Sequence, residues 1–278
     1  MSKDTQPLNN VEFTDETELN RLLDGLAPIT PEPGQADSLR ASIMHRVSQS
    51  IATHAGLLTV RSNHGVWKTL KAGIRYKLLR RSAQGSSVLI EFAPGASLPP
   101  HRHNWMEEGI VLCGDLSMGD LQLGSFDYHM SPKGSRHSSI CSRQGSLAFL
   151  CGSSVGNNAS IAQELIGGLL PMGKDHSLTV FTGVPEDWQV CEEGVFKKDL
   201  WFDDTRVSRI YRLEAGASIP SISDWLDEEY MILEGELFLG DILLRAGEYQ
   251  WAPAGSKRPE VFSDVGASLF VRTARADD

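Results

Sequence analysis

The sequence predicts a mainly β protein in which two similar barrels follow a short helical segment. First, the chain repeats itself at an offset of 121 residues: Trp67 falls on Trp188 and Gly73 on Gly194, without a gap as far as Phe149. Second, short apolar runs within each repeat are interrupted by Gly, Pro or Asp about every ten residues, as in all-β barrels and sandwiches. Third, the residues ahead of the repeat have a helical apolar period instead.

The helical segment consists of two predicted helices. One lies within residues 15–27 and the other within residues 37–54, and the motif ITPEPG separates them. Each has a stripe of apolar residues at helical spacing. These residues are Leu19, Leu22, Leu23 and Leu26 in the first helix, and Leu39, Ile43, Val47 and Ile51 in the second. We therefore assign residues 1–60 to a helical N-terminal segment.

The two repeats define the remaining domains. We assign residues 61–155 to the first β domain and residues 156–278 to the second. The segment GSSVGNNAS, residues 152–160, is rich in Gly, Ser and Asn and is the predicted joint between them.

Composition excludes several classes of function. A formal net charge of −10 over 278 residues argues against a nucleic-acid partner. The chain has no apolar run of the ~18 residues that a membrane helix needs, and its first residues lack the apolar core of a signal peptide. We therefore expect a cytoplasmic protein with no direct contact to nucleic acid or membrane.

The four cysteines are far apart and form no CxxC pair, so neither a disulfide framework nor a thiolate zinc site is predicted. Cys113 and Cys141 lie in apolar runs, and we expect both to be buried.

Three histidines and one glutamate are spaced along the chain so that they could lie together in the folded protein. His101 and His103 share one face of an extended strand, and Glu107 keeps the same parity. A Pro132-x-Gly134 turn could bring His137 onto a neighbouring strand. Three imidazoles and one carboxylate form a complete shell for a divalent transition metal, with bonds of ~2.0–2.2 Å.

These residues also carry a family resemblance. The pattern G-x5-H-x-H-x3-E-x6-G, from Gly95 to Gly114, resembles the first cupin motif, and P-x-G-x-x-H, from Pro132 to His137, resembles the second. The resemblance implies two tandem cupin barrels, of the double-stranded β-helix or jelly-roll type. It also implies that the metal ligands are His101, His103, Glu107 and His137. The wider setting, with Trp67 and Gly73 ahead of the motif and a helical N-terminus, is similar to ChrR-type anti-sigma factors.

The second repeat has lost the metal site. At the same offset the four ligand positions are occupied by Ile222, Asp224, Glu228 and Arg258. Isoleucine has no donor atom and arginine stays protonated, so neither can bind a cation. We therefore expect one metal ion per chain, and a metal-free second cupin in which Arg258 is buried against Asp224 or Glu228.

No metal-binding or catalytic role is predicted for the other residues near the motifs. We expect Glu108 to lie at the surface or behind the ligands, and we assign no ligand role to the remaining histidines, which are His45, His54, His64, His129 and His176. No catalytic residue is assigned, because Arg102, Tyr128 and Arg136 lie near the motifs without a defined role. No organic cofactor is predicted.

The ChrR resemblance implies a cytoplasmic inhibitor of an extracytoplasmic-function sigma factor, whose metal-holding cupin tunes the response to a chemical stress such as singlet oxygen. The chain departs from that family in one respect. The family's N-terminal zinc motif, a histidine followed by a CxxC pair, is missing, because residues 1–112 contain no cysteine. The leucine-rich helices could still dock on a sigma factor, or they could cover a barrel or an oligomer interface.

Two other functions remain open. A bicupin with one three-histidine, one-glutamate site resembles metal-dependent dioxygenases of the quercetinase and diketone-cleaving kind. A small-molecule-binding cupin without turnover is the third alternative. We expect the regulatory, non-enzymatic function, with a dioxygenase as the second choice. Zinc is the favoured metal, although the ligand set also accepts Fe, Mn, Ni or Cu. The small-molecule ligand and the oligomeric state stay open.

Overall fold

The computed structural model describes residues 16–26, 32–168, 177–183, 187–221, 226–256 and 259–275. The chain divides into two compact units, one ending at Thr53 and the other running from His54 to Asp278. No helix within these described ranges is long and apolar enough to cross a membrane.

The first unit is helical, as the apolar period predicts. Helix α1 spans Glu16–Gly25 and helix α2 spans Pro33–His54. Proline is well placed at the start of α2, because the first amide groups of a helix have no partner within the helix. The apolar stripe of α2 stays exposed, and it consists of Leu39, Ile43, Val47 and Ile51.

The first barrel follows a short leading strand, β1 (Leu58–Val60). Its strands are β2 (Trp67–Lys71), β3 (Ile74–Ser82), β4 (Gly85–Phe92), β5 (Ser97–Leu98), β6 (His101–Arg102), β7 (Glu107–Gly114), β8 (Leu116–Met118), β9 (Leu121–Leu123), β10 (Tyr128–Ser131), β11 (Arg136–His137), β12 (Ile140–Cys141) and β13 (Ser146–Ser153). Helix α3 (Asn158–Gly167) leaves it.

The second barrel repeats this arrangement. Its strands are β14 (Leu178–Val180), β15 (Gln189–Glu192), β16 (Val195–Phe202), β17 (Arg206–Leu213), β18 (Ser218–Ile219), β19 (Glu228–Leu239), β20 (Ile242–Arg245), β21 (Tyr249–Ala252), β22 (Val261–Phe262) and β23 (Ala267–Ala274). The predicted mainly β architecture of two tandem cupin barrels after a helical segment is confirmed.

Each barrel has one large sheet. In the first barrel the strand order is β14-β10-β7-β13-β4-β3-β2, with a four-stranded sheet β5-β12-β8-β9 and the pair β6-β11 completing the barrel. In the second barrel the order is β1-β21-β19-β23-β17-β16-β15, and β18, β20 and β22 join this sheet through β19.

The two barrels exchange their leading strands. Strand β1 pairs with β21 of the second barrel, and β14 pairs with β10 of the first. Both exchanged strands have the sequence LTV. The exchange is anchored in the same way at both ends, because the carboxylate of Asp127 accepts from the Thr182 amide and that of Glu248 accepts from the Ser62 amide. Each large sheet is therefore completed by the segment that leads into the other barrel.

The faces of the two large sheets share one hydrophobic core. Phe149 of the first barrel lies 5.8 Å from Phe270 of the second and 5.9 Å from Tyr249, measured between ring centres. All three side chains are fully buried. This shared core accounts for the compactness of the unit, since apolar burial is the main favourable contribution to folding.

Glu108 lies inside this shared core, so the expectation that places it at the surface is wrong. Its side chain is 1% exposed, and Arg272 of the second barrel donates to it over 2.5 Å. Tyr128 donates from its hydroxyl over 2.8 Å, and Ser208 donates from across the interface. Strand alternation correctly places Glu108 opposite to Glu107, but the outer face of this sheet is covered by the second barrel.

Glu229 holds the equivalent position in the second barrel. It accepts hydrogen bonds from Arg80 over 2.6 Å and from Ser87 over 2.8 Å, both in the first barrel. Ser87 and Ser208 are themselves equivalent at the repeat offset. The interface therefore has an approximate twofold arrangement of two buried carboxylates, each neutralised by an arginine.

Two local expectations need correction. The predicted joint at residues 152–160 is largely structured, because Ser153 still pairs with Ser86 and the side chain of Asn157 caps α3 at Ser160. Cys113 is exposed rather than buried. The register between β7 and β13 shifts beside it, and this β-bulge changes which face the following side chain takes.

Candidate metal centre

The ladder between β6 and β11 brings the three motif histidines together. His101 is the direct partner of His137. The ladder continues past the strands, because the His103 amide donates to the Ser135 carbonyl over 3.0 Å and the Gly134 amide donates to the His103 carbonyl over 2.9 Å. Two short antiparallel segments therefore carry all three imidazoles.

The spacing of the three rings fits a shared ion. Ring centres are 5.1 Å apart for His101 and His103, 5.6 Å for His101 and His137, and 4.6 Å for His103 and His137. A metal–nitrogen bond of about 2.1 Å places an imidazole centre about 3.2 Å from the ion, so rings sharing one ion at angles of about 90–120° lie about 4.5–5.6 Å apart.

Glu107 completes the predicted set at the start of β7. Its Oε1 lies 3.8 Å from Nδ1 of His103, and its side chain is 13% exposed. Burial raises the pKa of the Glu107 carboxyl, while the charge of His101 and a hydrogen bond from Ser153 oppose this rise. The four predicted ligands lie together at one end of the barrel, and ligation itself stays a prediction.

The donor atoms do not yet point to one position. Within the described part of the chain, no group of three or more His, Cys, Asp or Glu side chains could hold a metal ion as it stands. Nε2 of His137 lies 2.9 Å from the Ser131 hydroxyl, a hydrogen bond that metal binding through this nitrogen would have to replace. Nδ1 of His101 lies 3.0 Å from the Pro99 carbonyl, an arrangement that leaves Nε2 for a metal. The donor set fits in type and in ring spacing, and the His137 ring has to turn.

His129 also belongs to this site, and the sequence interpretation missed it. Its ring centre lies 5.1 Å from that of His137, and its Nδ1 lies 2.8 Å from the hydroxyl of Thr179 on the exchanged strand β14. The available signal was strand alternation, since His129 and Ser131 share one face of β10.

A second carboxylate near the histidines comes from α3. Glu164 is buried and accepts from the Ser154 hydroxyl over 2.6 Å and from the Asn104 amide over 3.1 Å. Burial raises the pKa of the Glu164 carboxyl, and the charge of Glu107 raises it further. A cation between the two would relieve this repulsion. No motif points to Glu164, because it lies in the linker after the repeat.

Next to the histidines the barrel contains a chamber of about 110 Å³ that is partly open to solvent. Its polar end contains His101, Glu107, His129, Ser131, His137, Ser153 and Glu164. The rest of the wall is almost entirely aliphatic and aromatic, and Ile161 and Leu165 of α3 complete it. The site is therefore the polar end of an apolar chamber.

One of the four counterpart positions in the second barrel lies within the described residues. Glu228, the counterpart of Glu107, is buried, and the Tyr230 hydroxyl donates to it over 2.6 Å. Ile222, Asp224 and Arg258 lie outside the described residues, so the expected burial of Arg258 against a carboxylate stays a prediction.

Comparison with known proteins agrees with the fold and the site described above. The cupin fold is shared with solved structures, and residues 56–155 match the family model of the ChrR cupin-like domain. This part of the chain is therefore a cupin-like domain of the ChrR type. No curated protein matches the sequence significantly.

Several solved structures share the fold at low identity. A protein from Nostoc punctiforme, described as a candidate dioxygenase, is 17% identical with a TM-score of 0.60, covering 80% of this chain and 83% of its own. Oxalate decarboxylase from Bacillus subtilis is 16% identical with a TM-score of 0.54, covering 80% and 78%. The protein Ylba from E. coli is 12% identical with a TM-score of 0.57, covering 81% and 93%.

Proposed function

We propose that this chain is a ChrR-like regulatory protein whose first cupin holds one divalent metal ion and whose N-terminal helices bind an extracytoplasmic-function sigma factor. The observation that carries the proposal is the cluster of His101, His103, His137 and Glu107 inside a ChrR-type cupin-like domain. The type of donor atoms and the spacing of the rings both favour a divalent transition metal.

In this proposal the three imidazoles and Glu107 hold the ion, and zinc is the favoured metal. A bound ion would supply a Lewis-acidic position at the polar end of the chamber. The Pro99 carbonyl orients the His101 ring, and the Ser131 hydroxyl holds the His137 ring until binding turns it. Glu164 adds negative charge beside the site. The oxalate decarboxylase with the same fold is described with Mn(II) centres, which supports a metal in this fold and leaves its identity here open.

The partner half of the proposal depends on α2. Leu39, Ile43 and Val47 form an exposed apolar stripe, with side-chain exposures of 54%, 50% and 42%. A helix that presents such a stripe can lie in a groove of another protein without a zinc motif of its own. The missing cysteine pair therefore does not exclude sigma binding by these helices.

A metal-dependent dioxygenase is the second candidate function. The observation that favours it is the largely apolar chamber next to the histidines, with two carboxylates, Glu107 and Glu164, at its polar end. Such a chamber can exclude water from a bound substrate.

Co-expression with a sigma factor encoded beside this gene tests the regulatory proposal. The full chain should co-purify with that sigma factor, and the triple variant Leu39→Ser/Ile43→Ser/Val47→Ser should lose it while keeping its metal. As a matched control, Leu178→Ser changes an exposed leucine on β14 and should leave binding intact. A full chain that fails to bind the sigma factor, or a triple variant that binds it equally well, would contradict the proposal. A gene neighbourhood of catabolic enzymes, with oxygen uptake by the metal-loaded protein, would favour the dioxygenase.

A further inference from the structure

The first barrel contains a chamber, and two positions of its wall carry much larger side chains in the second barrel. The first barrel contains the chamber of about 110 Å³. The positions that correspond to its wall form a cluster of buried side chains in the second barrel, which includes Ile232, Leu244 and Leu269. Most of the wall is a buried cluster in the first barrel too, so the comparison between the barrels concerns individual side chains.

The largest increases in side-chain size between the repeats fall at two wall positions. Gly109 and Ala148 line the chamber of the first barrel, and the repeat offset places Tyr230 and Leu269 at their positions. Tyr230 and Leu269 are both 1% exposed and belong to the packed cluster. The backbone at Gly109 does not require glycine, since no positive φ is found there.

The strand register shows that Gly109 and Tyr230 are true structural equivalents. Gly109 pairs with His129 between β7 and β10, and Tyr230 pairs with Gln250 between β19 and β21. A Cβ atom at Gly109 would meet only the end of the Leu150 side chain, at 2.9 Å. The backbone therefore leaves room for a side chain at this position once the flexible end of Leu150 shifts.

The wall of the chamber indicates what it can hold. Most of the side chains around it are apolar, and none of the described residues that line it is a lysine or an arginine. A ligand with two negative charges would enter this wall without a compensating side-chain cation, which is unfavourable. The polar groups at one end can donate or accept hydrogen bonds to a single oxygen function.

We propose that this chamber binds a small, largely apolar molecule that carries one hydroxyl or carbonyl oxygen, and that Gly109 and Ala148 keep the chamber open for it. An apolar cavity of about 150 Å³ accommodates benzene, so a chamber of about 110 Å³ holds about four or five non-hydrogen atoms, and the rest of a slightly larger ligand would extend into the open side of the chamber. The inference rests on the proposed function in one respect: the oxygen lies at the end where His101, His137 and Glu107 would hold the metal.

Calorimetric titration of the full chain with phenol and with 1-pentanol tests this inference, in the metal-loaded and the EDTA-treated protein. Malonate, which carries two charges, is the comparison ligand. At least one of the two alcohols should bind the EDTA-treated chain, in which no metal ion can chelate the dicarboxylate, at least tenfold more tightly than malonate does. Failure of both alcohols to bind, or tighter binding of malonate, would overturn the inference.

The repeat supplies the variants. Ala148→Leu and the double variant Gly109→Tyr/Leu150→Val copy the second barrel into the first, since Leu150 corresponds to Val271. Each should weaken binding of the alcohol at least tenfold. Tyr230→Phe changes only the second barrel and should bind as the wild type does. If Ala148→Leu or the double variant is folded and binds the alcohol with unchanged affinity, the inference is contradicted. A crystal structure of the wild-type complex that shows the alcohol outside the chamber would also contradict it.

Metal content, measured on the same samples, separates the two proposals. A chain with about one metal ion that binds neither alcohol retains the proposed metal centre and refutes the chamber inference. A chain that takes up no metal but binds phenol or 1-pentanol, with loss of binding in Ala148→Leu, refutes the metal centre and supports the chamber.

Discussion

Replacing Arg272 with methionine removes the cation from a carboxylate that has almost no contact with solvent. Glu108 and Arg272 are 1% and 8% exposed, and their atoms Oε1 and Nε lie 2.5 Å apart. Burial alone would lower the pKa of Arg272, but neighbouring negative groups, Glu108 above all, raise it above its ordinary value. In the variant, Glu108 keeps only the hydroxyl donors Tyr128 and Ser208.

The cost follows from leaving a buried charge without its partner. Removing one member of a buried ion pair costs about 3–5 kcal/mol of unfolding free energy. In a domain of this size, each kcal/mol lowers Tm by about 2–4 °C, so Arg272→Met should lower Tm by about 6–20 °C. The double variant Glu108→Gln/Arg272→Met should recover most of the loss, because residue 108 then carries no charge that needs a partner.

Urea denaturation followed by circular dichroism measures this cost, and Arg209→Ala is the matched control. The Arg209–Asp199 pair has the same 2.5 Å contact, but the two side chains are 30% and 35% exposed. This variant should cost only about 0–1 kcal/mol. A loss below 1 kcal/mol in Arg272→Met, a loss equal to that of the control, or a double variant as unstable as the single one would refute the reasoning.

Three further predictions concern the scaffold. The Glu248 carboxyl accepts from Arg61 over 2.8 Å, and although burial alone would raise its pKa, this contact and backbone donors lower it. The ionised Glu248 carboxylate therefore stabilises the fold at pH values above its unfolded-state pKa, and this stabilisation is lost as the pH falls through its folded-state pKa. Glu248→Gln should lower the unfolding free energy by about 1–3 kcal/mol at pH 7. In urea titrations, the difference between the variant and the wild type should shrink below about pH 4. A difference that stays constant down to pH 3 would contradict this. A chain beginning at His54 should keep its cooperative unfolding, because the β unit starts there, and insolubility of that chain would show that the helices stabilise it. Gly114→Ala should lower Tm far more than Gly95→Ala does. Both glycines have a positive φ, but only a Cβ atom at Gly114 would meet a backbone atom, the Gly145 oxygen at 2.0 Å. Equal Tm values for the two variants in thermal melts would contradict this.

The repeat and the spacing of turn residues predicted both barrels, because each strand is encoded by its own local apolar pattern. The exchange of β1 and β14 could not be predicted in the same way. A run of three residues, LTV, has no pattern that selects a partner strand. For β1 the partner is β21, which lies more than 100 residues further along the chain. The prediction for Glu108 is wrong for a related reason. Alternation along a strand shows on which face of the sheet a side chain lies, but it does not show what covers that face.

The histidine end of the site was predictable, because motif spacing and strand parity depend on local geometry. His129 and Glu164 were missed for different reasons. His129 has the parity of Ser131 on β10, so alternation could have found it, whereas Glu164 reaches the site through the packing of a linker helix. The replacement of Gly109 by Tyr230 is visible in the repeat, although neither residue is at a ligand position.

The most direct test of the central claim is the metal content of the purified chain by elemental analysis, with variants in both barrels. The account predicts about one divalent ion per chain in the wild type and in Glu228→Ala, which changes the second barrel. It predicts a loss of most of that ion in His101→Ala and His137→Ala, since each removes one of four ligands. Two ions per chain with one surviving in His101→Ala, or an ion content that neither histidine variant lowers, would contradict the account.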